Sequence, residues 1–148
     1  MIYQDFLELL RVFAKHRVRY ALIGGYAVGI HAEPRYTKDL DILISANPKN
    51  AALVLKALTE FGAPVDNLSI EELSKPGLLY VFGIPPLRVD ILNRIKGVDG
   101  EGVVRRAKKV KIGNTFLKVV TVEDLIKLKK LAGRKQDLAD IEKLRSRK

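Results

Sequence analysis

Two aspartates separated by a single leucine form the clearest candidate for a chemical site in this chain. Asp39 and Asp41 stand at the start of the apolar run 40–44, which predicts a strand. Because side chains alternate along a strand, both carboxylates lie on the same side. They repel each other when both are ionised, unless a cation or a proton lies between them. Carboxylate oxygens suit Mg²⁺ or Mn²⁺, which proteins often bind together with substrate phosphates.

A third carboxylate interrupts another apolar run. Asp90 lies in the middle of segment 87–93, which predicts a strand. A buried acid is costly without a partner. If this strand lies beside the first one, Asp90 completes a three-carboxylate cation site with the other two aspartates. The alternative is an ion pair between Asp90 and Arg88 or Arg94.

A glycine pair precedes the acids. Gly24 and Gly25 follow the apolar run 20–23, which predicts a buried strand, and precede segment 26–32, which suits a short helix. Backbone amides at a glycine turn that opens a helix can approach phosphate oxygens closely. Together with the acids, the turn predicts a phosphate cradle beside a metal site. The alternative is that the glycines only form a turn.

The remaining sequence pattern predicts the elements that must position these residues. Helices are predicted at 2–15, from the Asn47 cap to 61 before Gly62, at 70–73 as one turn, from the Thr121 cap to 132 before Gly133, and from about 135. Further strands are predicted at 78–82 and 116–120, the latter paired with a preceding strand across a turn at 111–116. The first helix is amphipathic and can cover one face of a sheet.

The segment between these strands and helices carries weaker signals. Gly97, Gly100 and Gly102 predict a flexible loop. The basic run 105–109 predicts a solvated face rather than a binding patch.

Composition limits the class of protein. The chain of 148 residues has 47% apolar residues, which predicts a single domain over 1–148, with a core in 1–120 and a helix pair in 121–148. No run approaches the ~20 apolar residues of a membrane span. The chain has no cysteine, and its first residues do not resemble a secretory signal, so we expect a cytoplasmic location and no membrane partner.

The positive charge is concentrated in one part of the chain. The net charge is +10, and residues 1–91 are balanced, with 10 basic and 10 acidic residues, whereas residues 92–148 have 17 and 7. A basic region attracts nucleic acid, steers a nucleoside triphosphate, or keeps the chain in solution. The sequence shows no interleaving of aromatic and basic residues of the kind that stacks bases, so these three roles stay open.

The motifs resemble those of a known superfamily. Ile-Gly-Gly, then Thr37-Lys-Asp39-Leu-Asp41-Ile, then Val-Asp90-Ile is similar to the nucleotidyltransferases of the DNA polymerase beta superfamily, and especially to their AbiEii-like branch. The resemblance implies an α+β fold, a mixed β-sheet flanked by helices with a C-terminal helical hairpin. It also implies that the three acids bind two magnesium ions that carry the nucleoside triphosphate. Gly25 departs from the serine of the common form.

The C-terminal segment extends the resemblance. Residues 121–144 are similar to the helix pair of the AbiEii-like proteins, which implies that Lys129 and an acid of the following helix belong to the active site. From the residues alone, a lysine suits a triphosphate, and Asp137 and Asp140, three apart on one helix face, can orient Lys129 or Arg134. The alternative is an exposed helical hairpin with surface ion pairs.

These observations predict metal-assisted transfer of a nucleoside monophosphate from a nucleoside triphosphate to a hydroxyl group. The predicted metal ligands are Asp39, Asp41 and Asp90, with Asp90 as general base. The predicted nucleotide-binding residues are Gly24, Gly25, Thr37, Lys129 and Arg134. His31 and Arg35 come within reach of the same pocket, although a packed histidine and a surface arginine are the simpler interpretations.

The acceptor is left open among three alternatives. A tRNA or a protein in a toxin–antitoxin-like setting fits the basic second half and the resemblance. A small hydroxylated compound such as an antibiotic fits the short chain. A catalytically silent binding module of the same fold is the third, and the three acids argue against it. A partner protein or a homo-oligomer is compatible with each.

Overall fold

The structure is a computed structural model that describes residues 2–34, 37 and 39–147. The seven helices of this part are α1 (Gln4–Lys15), α2 (Gly24–His31), α3 (Pro48–Phe61), α4 (Ile70–Ser74), α5 (Gly100–Arg106), α6 (Val122–Ala132) and α7 (Lys135–Ser146). The strands are β1 (Tyr20–Ile23), β2 (Asp39–Ile44), β3 (Leu79–Phe82), β4 (Arg88–Leu92), β5 (Lys108–Ile112) and β6 (Thr115–Val119). No helix in these residues is long and apolar enough to cross a membrane.

The strands form one mixed sheet in the order β3-β4-β2-β1-β6-β5. β2 pairs in parallel with β4, and β1 pairs in parallel with β6. The pairs β1–β2, β3–β4 and β5–β6 are antiparallel. This architecture confirms the predicted α+β fold, and the last two helices are consistent with the predicted C-terminal hairpin.

The hydrophobic core holds the two central strands in place. Every residue of β1 is buried, and β2 is buried from Ile42 to Ile44. Helix α1 packs its apolar face on the sheet through Phe6, Leu9 and Phe13, which are almost fully buried. The apolar burial of these strands supplies the main driving force that fixes the site-bearing ends of β1 and β2.

The predicted helix caps are present. The side chain of Asn47 accepts a hydrogen bond from the Asn50 amide, and Gly62 ends α3 in the left-handed conformation. Thr121 caps α6 by accepting from the Asp124 amide, and Gly133 ends that helix with positive φ. Local side-chain chemistry therefore fixes where these helices begin and end.

The predicted flexible loop around Gly97 to Gly102 is wrong in its second half. Asp99 caps helix α5 by accepting from the Gly102 amide, and Gly102 is buried there. A Cβ at Gly102 would lie 2.6 Å from Asp99 Oδ2, so this glycine serves the capping turn. At this position the glycine therefore reflects close packing instead of flexibility.

The predicted solvated face at 105–109 is only partly correct. Arg106 lies at the end of α5 and donates to the buried carboxylate of Asp124, with Nε 2.8 Å from Oδ2. Lys108 and Lys109 belong to strand β5 and are exposed. Within this run, Arg106 therefore forms a structural ion pair, and the two lysines belong to the exposed surface of a strand.

Candidate active site

The acids meet on one face of two adjacent parallel strands. The register of β2 and β4 places Asp41 opposite Asp90 and Asp39 opposite Arg88. Because paired residues of neighbouring strands share a face, and residues two apart on one strand do as well, all four side chains lie on the same side of the sheet. The predicted pairing of these two strands is therefore present.

An arginine lies among the acids. Arg88 Nε donates to Asp90 Oδ1 at 2.9 Å and lies 3.8 Å from Asp39 Oδ1. This is the ion pair that the sequence offered as the alternative for Asp90, and it is present although the three aspartates share one face of the sheet. With the side chains in these positions, no three His, Cys, Asp or Glu residues of the described part are arranged to hold a metal ion.

Asp41 is the acid with the strongest electrostatic constraint. Its pKa is raised to about 7, first by burial and then by the charges of Asp90 and Asp39, whereas Lys129 and Arg88 act in the opposite direction. A carboxyl group in this environment gains most from a cation that can approach it. The donor set is three carboxylates, the oxygen chemistry that Mg²⁺ or Mn²⁺ prefers, so the residue types fit such an ion although their present side-chain positions do not group around one.

The glycine turn is in contact with Asp41. Gly24 has φ of 74°, a conformation that favours glycine, and a Cβ built there would overlap with Asp41 Oδ2. Gly25 is buried in the first turn of α2. The N-cap residue Ile23 has an apolar side chain and makes no capping hydrogen bond, so the first-turn amides are not used by a side chain at the cap. The predicted glycine turn therefore lies directly beside the acids.

Lys129 is held by two acids of the next helix. Its Nζ lies 3.2 Å from Asp137 Oδ1 and 2.9 Å from Asp140 Oδ2, and all three side chains are buried. Arg134 Nε donates to Asp137 Oδ2 at 2.7 Å. Burial raises the pKa of Asp137, but the hydrogen bonds from Arg134 and Lys129 outweigh it and leave that pKa below its ordinary value. The hairpin α6–α7 is thus joined by a buried ionic cluster.

A cavity of about 250 Å³ connects the strands with this hairpin. Its walls include Gly24 and Asp41 on one side and Lys129, Arg134 and Asp137 on the other. The charges of Lys129 and Arg134 both act on Asp41. The helix pair therefore faces the glycine turn and the second aspartate, as an active-site role for Lys129 requires.

Thr37 and His31 do not line this cavity. Thr37 Oγ1 lies 3.5 Å from the Asp39 carbonyl oxygen. His31 Nε2 forms a 2.6 Å hydrogen bond with the Val120 carbonyl oxygen, which is the packed histidine considered in the sequence. Arg35 lies outside the described residues.

The mixed sheet, with its acids on the adjacent strands β2 and β4, has the nucleotidyltransferase fold. The chain belongs to the family described as "Nucleotidyl transferase of unknown function (DUF2204)", whose family model matches residues 2–147. This result supports the nucleotidyltransferase resemblance found in the sequence. The AbiEii-like branch stays a prediction.

Solved structures show the same fold over nearly the whole chain. The lincosamide antibiotic adenylyltransferase LnuA, with lincomycin bound, has 16% identity and a TM-score of 0.58 over 99% of this chain and 98% of its own. ANT(2")-Ia in complex with adenylyl-2"-tobramycin has 11% identity and a TM-score of 0.60, over 95% and 87%. A protein assigned as a nucleotidyltransferase from Thermotoga maritima has 16% identity and a TM-score of 0.59, over 97% and 94%. Among curated proteins, none matches the sequence significantly.

The sequence indicated Arg88 only as a competing partner of Asp90 and did not reveal its position among the acids. The available signal was its spacing, because a residue two before Asp90 must share its face. What the sequence could not supply was the register that puts Arg88 opposite Asp39.

Gly24→Ala is expected to destabilise the protein more than Gly113→Ala. Both glycines have positive φ, but a Cβ at Gly113 meets nothing within 4 Å, whereas at Gly24 it overlaps with Asp41. The shared backbone cost is roughly 1–2 kcal/mol, and the Gly24 variant adds the displacement of Asp41. Thermal unfolding of both variants measures the difference. Equal losses of stability would show that the contact between Gly24 and Asp41 is unimportant.

Asp41→Asn is expected to stabilise the metal-free protein, with a gain that grows as the pH rises. The pKa of Asp41 is raised from 3.8 to about 7 on folding, so its contribution to stability is fully present below pH 3.8 and is lost as the pH passes 7. At pH 8 the gain is on the order of 4 kcal/mol. Urea unfolding at pH 4 to 8 measures it, with the exposed Asp66→Asn as control. A gain independent of pH contradicts the expectation.

Proposed function

We propose that this protein is a metal-dependent nucleotidyltransferase that moves a nucleoside monophosphate from a nucleoside triphosphate to a hydroxyl acceptor. The observation that carries the proposal is the in-register pair of Asp41 and Asp90 on parallel strands, with Gly24 against Asp41. Membership of a nucleotidyltransferase family supports the reaction class.

The acids are proposed to hold the metal. Asp39, Asp41 and Asp90 offer carboxylate oxygens from one sheet face, and a bound Mg²⁺ or Mn²⁺ supplies neutralisation of phosphate charge. Arg88 competes for the same oxygens, since it pairs with Asp90 and lies near Asp39. We infer that Arg88 must release these acids before a cation is bound.

The remaining groups are assigned to the nucleotide. The first-turn amides at Gly24 and Gly25 bind phosphate oxygens, with Thr37 adding a hydroxyl group. An ammonium group has three N–H donors, so Lys129 keeps one donor for the triphosphate while Asp137 and Asp140 fix its position. Arg134, which is mostly exposed at the cavity wall, adds a second cation.

The transfer step is an in-line displacement. Asp90 accepts the proton of the acceptor hydroxyl group, whose oxygen forms a bond to the α-phosphorus. The bond between the α-phosphorus and its bridging oxygen breaks, and pyrophosphate leaves with that electron pair. The cavity between the acids and the α6–α7 hairpin is where we place the triphosphate.

Two acceptor classes are supported by different observations. A tRNA or protein acceptor in a toxin–antitoxin-like setting is supported by the AbiEii-like sequence motifs and the basic residues 92–148. A small hydroxylated antibiotic is supported by the fold shared with LnuA and ANT(2")-Ia, which cover almost the same length. The three acids oppose a catalytically silent module.

Transfer is tested with each α-³²P-labelled nucleoside triphosphate, Mg²⁺ or Mn²⁺, and a cell extract. We expect one class of component to become labelled, and Asp90→Asn to lower the rate at least about 100-fold, because it removes the general base. Asp66→Asn changes an exposed carboxylate that does not line the cavity and serves as control. Absence of label with every nucleotide, or equal rates for the two variants, refutes the proposal.

Arg88→Gln is expected to increase the affinity for Mn²⁺ measured without nucleotide. A partly exposed ion pair is worth roughly 0.2–1 kcal/mol, so its removal should tighten binding by up to about fivefold. Calorimetric titration or the electron paramagnetic resonance signal of free Mn²⁺ measures the affinity. Arg94→Gln removes an exposed arginine just after β4 and should change nothing. Weaker binding by Arg88→Gln would show that Arg88 assists the cation instead of competing with it.

A further inference from the structure

The outer face of the β5–β6 hairpin combines lysines with an exposed aromatic ring. The register pairs Lys109 with Lys118 and Lys111 with Phe116, so these four side chains share one face. The opposite face carries Val110 and Leu117, which pack on the core. We call the four residues Lys109, Lys111, Phe116 and Lys118 the hairpin face.

The hairpin face has features that disfavour folding. Lys109 and Lys118 are direct cross-strand neighbours, and like charges in this position are destabilising. Phe116 is 54% exposed although it is a large apolar residue. Lys111 Nζ lies 6.0 Å from the centre of the Phe116 ring, at the outer limit of a cation–π contact. Such an arrangement gains stability when an anion with a flat apolar group covers it.

A cavity of about 490 Å³ borders the hairpin face and adds further cations. Its walls include Arg17 and Arg19, which precede β1, together with Lys109, Phe116 and Lys118. The Lys118 amide donates to the buried Tyr20 hydroxyl group, which fixes β6 against β1 at this point. Within the described part of the chain, no carboxylate forms an ion pair with the two arginines or the three lysines.

The hairpin face lies away from the candidate active site. The cavity reaches β1 at Tyr20, whereas Gly24 follows the other end of that strand. A strand rises about 3.3 Å per residue, so the two places are roughly 13 Å apart along β1. The residues of the hairpin face belong to none of the groups assigned to the metal or the triphosphate.

We propose that the hairpin face and the bordering arginines bind single-stranded nucleic acid. Five cations that form no ion pair within the described residues neutralise successive phosphates. Phe116 offers a ring on which an unpaired base stacks, and this contact tolerates any sequence. A duplex would hide its bases from Phe116, and an acidic peptide would leave the ring without a stacking partner. The interleaving of aromatic and basic residues, which the linear sequence does not show, is created by the hairpin register.

Binding of fluorescein-labelled oligouridylate and oligothymidylate, measured by anisotropy without nucleotide or metal, tests the proposal. Each lost phosphate contact lowers the slope of log Kd against log salt by about 0.7 for a single strand. Lys109→Gln with Lys118→Gln should therefore lower the slope by about 1.4. Phe116→Ala should weaken binding roughly tenfold with the slope unchanged, since it removes stacking alone.

Lys49→Gln with Lys56→Gln is the matched control, because both lysines are exposed on α3, outside the hairpin face. Circular dichroism verifies that all variants are folded. Failure of the wild-type protein to bind either strand, or equal binding by the hairpin-face and control variants, overturns the proposal. So does tighter binding of polyglutamate than of oligouridylate, which would indicate an acidic protein partner. The measurement requires no transfer activity, so this proposal and the catalytic one can fail separately.

Discussion

The repulsion between carboxylates on β2 and β4 is the constraint on which the site depends. The backbone hydrogen bonds of a parallel pair fix Asp41 opposite Asp90, so the two groups cannot separate by sliding along their strands. Their charge is instead compensated locally. A raised pKa at Asp41 and the guanidinium of Arg88 are two forms of compensation within the chain, and a divalent cation is the third form that we propose.

Elementary periodicity was sufficient to predict much of this arrangement. Alternation along a strand placed Asp39 and Asp41 on one side, and an acid within an apolar run marked Asp90 as a residue that needs a partner. The helix limits at Gly62 and Gly133 followed from cap chemistry. These features depend on residues close in sequence, where the physical rules are strongest.

Features that depend on the residue-by-residue register of paired strands could not be predicted. Neither the proximity of Arg88 to Asp39 nor the common face of Lys111 and Phe116 is visible before the strand register is known. Helix α5 was not predicted because glycines such as Gly102 are typical of loops. In the structure, Gly102 leaves room for the side chain of Asp99, which caps the helix. Tertiary packing therefore determined the local structure where sequence composition alone predicted a different one.

The cluster of Lys129, Asp137 and Asp140 makes one wall of the cavity dependent on the contact between α6 and α7. Removing the acids from a buried lysine leaves an uncompensated charge, which is strongly unfavourable. On the ribosome, β2 and its acids emerge about 90 residues before Lys129, and the lysine emerges before both of its partners. The wall of the cavity opposite Asp41 can therefore close only after α7 has left the exit tunnel, so a nascent chain carries the acids long before it carries a finished site.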